Sequence, residues 1–244
     1  MSTLGNGRRV AVVAGVRTTL AKAGTAVNTS SAIDLGKLCV AELLQRTNLD
    51  GKEVQSLVFG TVIPSVIEPN IAREVSLLPL FPRGVQAYTV SRACASANQA
   101  ITDAADQIAL GHLDVVIAGG SESLSNIPIL HSQGFAETLV LASKAKSLPA
   151  RLRILARLRP KDLIPVTPAI AEPSTGETMG QSAEKMAKLN GITREEQDHF
   201  ALRSHRLAAA GTADGRLPAD VMPVYGPPQL GSGLTSYQRI SSAP

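Results

Sequence analysis

A cysteine, Cys94, stands in "VSRACASANQAI" (residues 90–101), between a β-branched apolar run and a series of small residues compatible with a helix. A strand that ends just before a helix is a good seat for a nucleophile. The helix start offers backbone N–H groups that lack intrahelical partners, together with a partial positive charge. Both favour thiolate over thiol, and the same N–H groups can hold the oxyanion formed when a carbonyl is attacked. On the local pattern alone, an acylated nucleophile and a small residue filling a tight turn fit equally well. A serine-hydrolase elbow fits worse, because "RACASA" lacks the glycines of G-x-S-x-G that relieve that turn.

Residues 8–123 alternate as the layered α/β scaffold needed to hold such a turn would. "RRVAVVAG" reads as a buried strand ending at Gly15. "SAIDLGKLCVAELLQRT" reads as a helix whose Leu35, Leu38, Cys39 and Leu43 share one face, which assigns Cys39 to the core. "VQSLVFGTVI" and "VQAYTV" are strands, followed by the helices "NIAREVSLL" and "ASANQAITDAADQIALG", and "DVVIAGG" is the next strand. Strand and helix in alternation imply crossover connections and a largely parallel or mixed sheet. From residue 124 to 170 scattered prolines suggest an irregular, partly helical insertion. "STGETMGQSAEKMAKLNG" then holds a helix stopped at Gly191. "ITREEQDHFALRSHRLAAAG" is a second one, capped by Thr193 and left at Gly211.

Composition narrows the class. A chain of 244 residues with 44% hydrophobic and 18% charged residues is globular and long enough for one large domain or two small ones. Aromatics are only 3% and tryptophan is absent, so the core must come from Ala, Val, Ile and Leu in closely packed layers. Two cysteines make no disulfide framework, and no Cys/His spacing suits a metal; His199 and His205 share a helix but lie about 240° apart around it. His112 and His131 read as surface or partner-contact residues. No apolar run is long enough for a membrane span or a signal-peptide core, so the expectation is a soluble protein of a reducing compartment, the cytoplasm.

Five stretches occur in order: "NIAREVSLL", "VSRACASANQAI", "DVVIAGGSESLSNIPI", "STGETMGQSAEKMAKLNGITREEQDHFALRSHRLAAA" and "DGRLPADVMPV". Together they resemble the amino-terminal half of the thiolases, most of all the branch with the β subunit of the fatty-acid oxidation trifunctional complex and its bacterial counterparts. The likeness runs from about Arg8 to Val224. It implies a thiolase-like layered α/β fold. The amino-terminal half would occupy residues 1–123 and a helical loop domain that binds substrate and coenzyme A residues 124–226. The carboxy-terminal half would be absent, and residues 227–244 would be a disordered tail outside the family pattern.

The same resemblance implies an acyl-CoA C-acyltransferase. It would cleave 3-ketoacyl-CoA with coenzyme A into acetyl-CoA and a shortened acyl-CoA, or condense acetyl-CoA in reverse, with coenzyme A thioesters as substrates and no cofactor. Cys94 would be the acylated nucleophile, with its own N–H in the oxyanion site. "GETMGQSAE" is similar to a family segment H-M-G-x-(T/S)-A-E, which would put Met179 in the lining of the acyl-thioester pocket. Thr178 stands where many relatives have histidine, and Thr19 where they have proline. The family's remaining acid, base and second oxyanion groups sit in G-H-P, C-x-G and N-E-A-F motifs that this sequence does not contain. A shortened reading frame, weak or dead alone, is therefore expected, and the alternative is a non-catalytic scaffold or relic acting through its loop domain. A ketoacyl synthase fits less well, because "STGETMGQSAEKMA" belongs to the thiolase loop domain.

The net charge of +4 is local. Seven cations fall within residues 144–161 with no acid among them, and the rest of the chain carries 17 basic against 20 acidic residues. With Leu148, Leu152, Leu155 and Leu158 this run can form an imperfect amphipathic helix. It could touch anionic lipid peripherally, the phosphates of coenzyme A or a hydratase/dehydrogenase subunit, or simply be solvated. Nucleic acid fits poorly, since no aromatic residues interleave the charge. A homodimer is the family expectation.

Overall fold

The computed structural model describes residues 8–166 and 171–224, so the expected tail at 227–244 lies outside the described residues. The chain divides into two compact units, whose described parts are residues 8–127 with 207–224, and residues 128–166 with 171–206.

The first unit is built on a three-stranded parallel sheet: β1 (Ser56–Gly60), β2 (Gln86–Val90) and β3 (Val116–Gly120), in the order β2-β1-β3. Strand β1 is central and buried along its whole length, as a near-continuous apolar run in a parallel sheet should be. Its alternating side chains serve two layers. Leu57 and Phe59 join a core with Ile33, Val40 and Leu44 of α1 (Ala32–Thr47) and Val75 of α2 (Ile71–Ser76). On the other face, Gly60 meets the start of α3 (Ser96–Ala109), whose buried positions are the small residues Ser96, Ala100 and Ala104. Small residues there let the helix backbone approach the sheet, which is how a chain so poor in aromatics closes its layers.

Helix α1 begins at Ser31, whose hydroxyl accepts from the Asp34 amide while the Asp34 carboxylate accepts from Ser31 N–H. It ends at Asn48, in the left-handed region with φ 52°. Its buried residues are Ile33, Leu35, Gly36, Val40 and Leu44, a stripe that keeps Leu35 of the expected face but leaves Leu38 exposed and Cys39 only half-buried. The Cys39 thiol donates to the Val16 carbonyl at 3.3 Å. Burial pushes its pKa up, partly offset by a backbone hydrogen bond at Thr18. The neutral thiol is therefore the form that folding favours; that contribution is present below the ordinary thiol pKa and is lost as pH rises through the raised one. At neutral pH iodoacetamide is expected to modify exposed Cys94 at least tenfold faster than Cys39, and urea should abolish the difference. Site-resolved mass spectrometry measures both rates in one sample.

The strand expected over "RRVAVVAG" is not formed. Residues 8–15 carry no regular structure and are exposed, with Val12 and Val13 87% and 90% accessible. A strand apolar on both faces needs a neighbour and a covering layer, and among the described residues none runs beside it. Pairing begins two residues later: Arg17 N–H donates to the Asp220 carbonyl and Met222 N–H to the Arg17 carbonyl, both at 2.9 Å. That contact, with Arg46 donating to the Ala219 carbonyl at 2.6 Å, seats the buried Val221, Met222 and Val224 in the first unit.

The second unit is helical. It holds α4 (Gln133–Lys144), α5 (Leu148–Leu155) and α6 (Met179–Leu189), and α7 (Arg194–Ala213) starts in it. The basic run is not one helix. Ser147 and Pro149 start α5 afresh after α4 ends, and Pro160 opens a separate 3-10 turn, because proline suits the first turn of a helix and not its interior. Arg151 is spent on the Ala142 carbonyl, and Arg159 lies 3.5 Å from Asp162. Helix α7 is capped by Thr193 as expected but runs through Gly211, which is buried under Leu217. The left-handed Gly215, φ 84°, is where the chain turns into α8 (Arg216–Asp220). No helix among the described residues is long and apolar enough to cross a membrane.

Candidate functional site

Because the strands are parallel and in register, Gly60, Val90 and Gly120 end side by side at one edge of the sheet. The loops that leave this carboxyl edge are where open α/β sheets form their ligand crevices. Cys94 stands in the loop after Val90, one residue before the N-cap of α3, and it is exposed. The sequence reading placed it correctly at a strand-to-helix turn.

The turn is tighter than its sequence suggests. Ala93 adopts φ 45°, a left-handed conformation that costs a residue with a Cβ about 1–2 kcal/mol. Backbone bonds close the turn on both sides of Cys94: Ala95 N–H donates to the Arg92 carbonyl at 3.0 Å and Ser96 N–H to that of Ala93 at 3.1 Å. The Ser96 hydroxyl donates to the Ala93 carbonyl at 2.6 Å and accepts from Arg92 N–H at 2.8 Å. Helix α3 has no side-chain cap, since its N-cap is Ala95, whereas α1, α2, α4, α5 and α6 are capped by Ser31, Asn70, Ser132, Ser147 and Thr178. First-turn amides that a cap would occupy are left available to an oxyanion.

The segment lacks the glycines that relieve a serine-hydrolase elbow. The structure supplies the relief from neighbouring strands instead. A Cβ on Gly60 would lie 2.4 Å from the Ser96 carbonyl carbon and 2.6 Å from Ala97 N, and one on Gly120 would lie 2.7 Å from the Gly60 oxygen. These glycines let α3 begin directly against the sheet, and no local motif around Cys94 could have revealed them.

The adjoining loops are fixed by residues that the sequence reading did not single out. One Glu122 carboxylate oxygen accepts from Val62 N–H at 2.7 Å, Ile63 N–H at 3.2 Å and the buried Thr61 hydroxyl at 3.3 Å. Asn126 donates to the Asn28 and Ser30 carbonyls at 3.0 and 2.9 Å. Their signal was "SESLSN" directly after a strand: small and polar residues where a loop must satisfy several backbones at once. Glu122→Ala strands those donors and is expected to cost about 2 kcal/mol, whereas Glu122→Gln, which keeps an acceptor, should cost about half as much. Urea unfolding of the three chains checks the order.

Met179 lies on the second unit as the first residue of α6, and it is 63% exposed. Thr178 before it is the N-cap: its hydroxyl accepts from Gln181 N–H at 3.3 Å and Gln181 accepts from Thr178 N–H at 2.9 Å. This T-x-x-Q capping box was readable in the sequence and gives Thr178 a structural role of its own. Cys94 and Met179 thus belong to different units. Among the described residues no group of His, Cys, Asp and Glu is arranged to hold a metal.

A family model described as the N-terminal domain of thiolase matches residues 10–238. The 3-ketoacyl-CoA thiolase of Pseudoalteromonas translucida is 50% identical over 91% of this chain and 51% of its own length. That of Aeromonas salmonicida is 50% identical over 93% and 52%. The chain therefore spans about half the length of the curated relatives it matches. Among solved structures, the Bacillus anthracis acetyl-CoA acetyltransferase superposes with a TM-score of 0.69 at 29% identity, covering 90% of this chain and 51% of the other. The Acat5 thiolase from Ascaris suum, solved in complex with coenzyme A, gives 0.71 at 27% identity, covering 92% and 53%. With a matching sheet, a matching sequence and a cysteine on the turn into α3, the chain belongs to the thiolase family, of which it carries the amino-terminal domain.

Proposed function

We propose that this chain supplies the nucleophilic half of a 3-ketoacyl-CoA thiolase, with Cys94 as the residue that carries the acyl group. The observation that carries the reading is the exposed thiol on a strained turn at the carboxyl edge of a parallel sheet, beside uncapped helix amides. The thiolate attacks the C3 ketone of 3-ketoacyl-CoA and the C2–C3 bond breaks. Its electron pair leaves on C2 as the enolate of acetyl-CoA, which takes up a proton. The acyl group stays on Cys94 as a thioester until the thiol of a second coenzyme A takes it, which regenerates the cysteine. With acetyl-CoA, attack at the thioester carbonyl gives an acetyl-enzyme and free coenzyme A, the entry to condensation.

An α/β half up to residue 123 and a substrate-binding loop domain over 124–226 belong to this reading, as does Met179 in the acyl pocket; the compact unit over 128–206 and the exposure of Met179 support them. The Ascaris relative in complex with coenzyme A supports coenzyme A and acyl-CoA as ligands. A homodimer, a hydratase/dehydrogenase subunit and peripheral contact with anionic lipid through residues 144–161 are further partners, and the cytoplasm the location; the exposed Arg153 of α5 supports the lipid contact.

Incubation with acetyl-CoA or 3-ketoacyl-CoA, followed by digestion and mass spectrometry, tests the proposal. The expected result is an acyl group on the Cys94 peptide. An unmodified Cys94 that still reacts readily with iodoacetamide would overturn the reading and favour a non-catalytic scaffold.

A further inference from the structure

We propose that Ser96 is the positioning residue of Cys94: its hydroxyl locks Ala93 in the left-handed conformation and so holds the thiol at the mouth of α3. The proposal deepens the reading of Cys94 as nucleophile and rests on it. Ser96 is 4% exposed, in the contact between α3 and β1. Its hydroxyl is engaged on both sides, as donor to Ala93 O at 2.6 Å and acceptor from Arg92 N–H at 2.8 Å, so it ties the residue before the strained one to the strained one itself. Ser96 is also the first helical residue of α3, so the same side chain couples the turn to the helix.

The geometry gives the hydroxyl a task that bulk packing could not perform. An alanine in the left-handed region tends to relax toward negative φ, which would swing the peptide between residues 93 and 94 and carry the thiol away from the helix start. The backbone bonds at Arg92 and Ala93 close the turn, but they leave Arg92 N–H without a partner; the Ser96 oxygen supplies it. Ser96 is too deeply placed to touch a substrate. It acts through Ala93 and is not itself a catalytic residue.

The test uses the full chain and the rate at which iodoacetamide modifies Cys94 at neutral pH, with half-buried Cys39 as reference in the same sample. Ser96→Ala is expected to slow Cys94 modification about tenfold while leaving Cys39 within twofold. Glycine adopts the left-handed region without penalty, so Ala93→Gly added to Ser96→Ala should restore the rate to within threefold of the parent. A Ser96→Ala chain that reacts like the parent, or in which Cys39 speeds up as Cys94 slows, would overturn the proposal, since the hydroxyl would then be dispensable or merely structural. A double variant that folds by circular dichroism and remains slow would also overturn it. Should Ser96→Ala alone not fold, the double variant carries the test, and its failure to fold as well would count against the proposal. Iodoacetamide reports the thiol without any acyl-CoA. A parent whose Cys94 behaves as described but accepts no acyl group would sink the proposed function and leave the positioning role standing.

Discussion

A Gly60→Ala chain is expected to unfold at markedly lower urea than the parent, losing about 3 kcal/mol or more, and to lose the ordered Cys94 turn with it. The added Cβ would sit 2.4 Å from the Ser96 carbonyl carbon, 2.6 Å from Ala97 N and 2.7 Å from the Ser96 oxygen. All three are backbone atoms, so no side chain can swing aside. Relief requires the first turn of α3 to lift off β1, which would open the contacts around Ser96, Ala100 and Ala104. Gly119 is the control in the same sheet. Nothing lies within 4 Å of the Cβ it would gain, so Gly119→Ala should be neutral or slightly stabilising, as glycine removal is where the backbone permits it. Urea midpoints of the two variants separate close approach from a general intolerance of alanine in the sheet. Equal midpoints would mean that α3 can shift at little cost.

That contrast shows what the sequence could and could not reveal. The strands β1, β2 and β3 and the helices α1, α2 and α3 were legible because each buries a face against its immediate neighbours, so the local apolar pattern carries the information. Cys94 was legible as a strand-to-helix cysteine for the same reason. The relief of its turn was not, because Gly60 and Gly120 act from strands distant in sequence, and the left-handed residue is an alanine that no turn rule would select. The segment at residues 8–15 failed in the opposite way. Its apolar pattern is that of a strand buried on both faces, but a strand is a property of its neighbours, and no strand runs beside it among the described residues. The shifted stripe of α1 has a similar cause. Of the expected face Leu35 is buried and Leu43 packs partly against the core, but contact with β1 and α2 also buries Ile33, Gly36, Val40 and Leu44, where Gly36 lets the helix approach Val75 and Phe59, and Leu38 is left exposed.

Cys94→Ala is expected to abolish acyl uptake from acyl-CoA, a loss on the order of 10⁴-fold or more, because no other group at the turn can form the thioester. Fold should be unaffected: Cys94 is exposed, and the bonds that close its turn come from the backbone of residues 92–96 and the Ser96 hydroxyl. Unfolding free energy should therefore stay within about 0.5 kcal/mol of the parent. Cys39→Ala is the informative partner. Its thiol is half-buried, donates to the Val16 carbonyl and is held protonated by burial, so its removal should leave acyl uptake unchanged. Single-turnover release of coenzyme A, followed by mass spectrometry of both cysteine peptides, measures the two variants under one condition. If uptake persisted in Cys94→Ala and the acyl group appeared on the Cys39 peptide, the exposed turn would be a packing feature and the chemistry would have to be sought elsewhere. If uptake vanished in Cys94→Ala alone, with stability unchanged, the thiol on the turn into α3 would be the atom that forms the new bond.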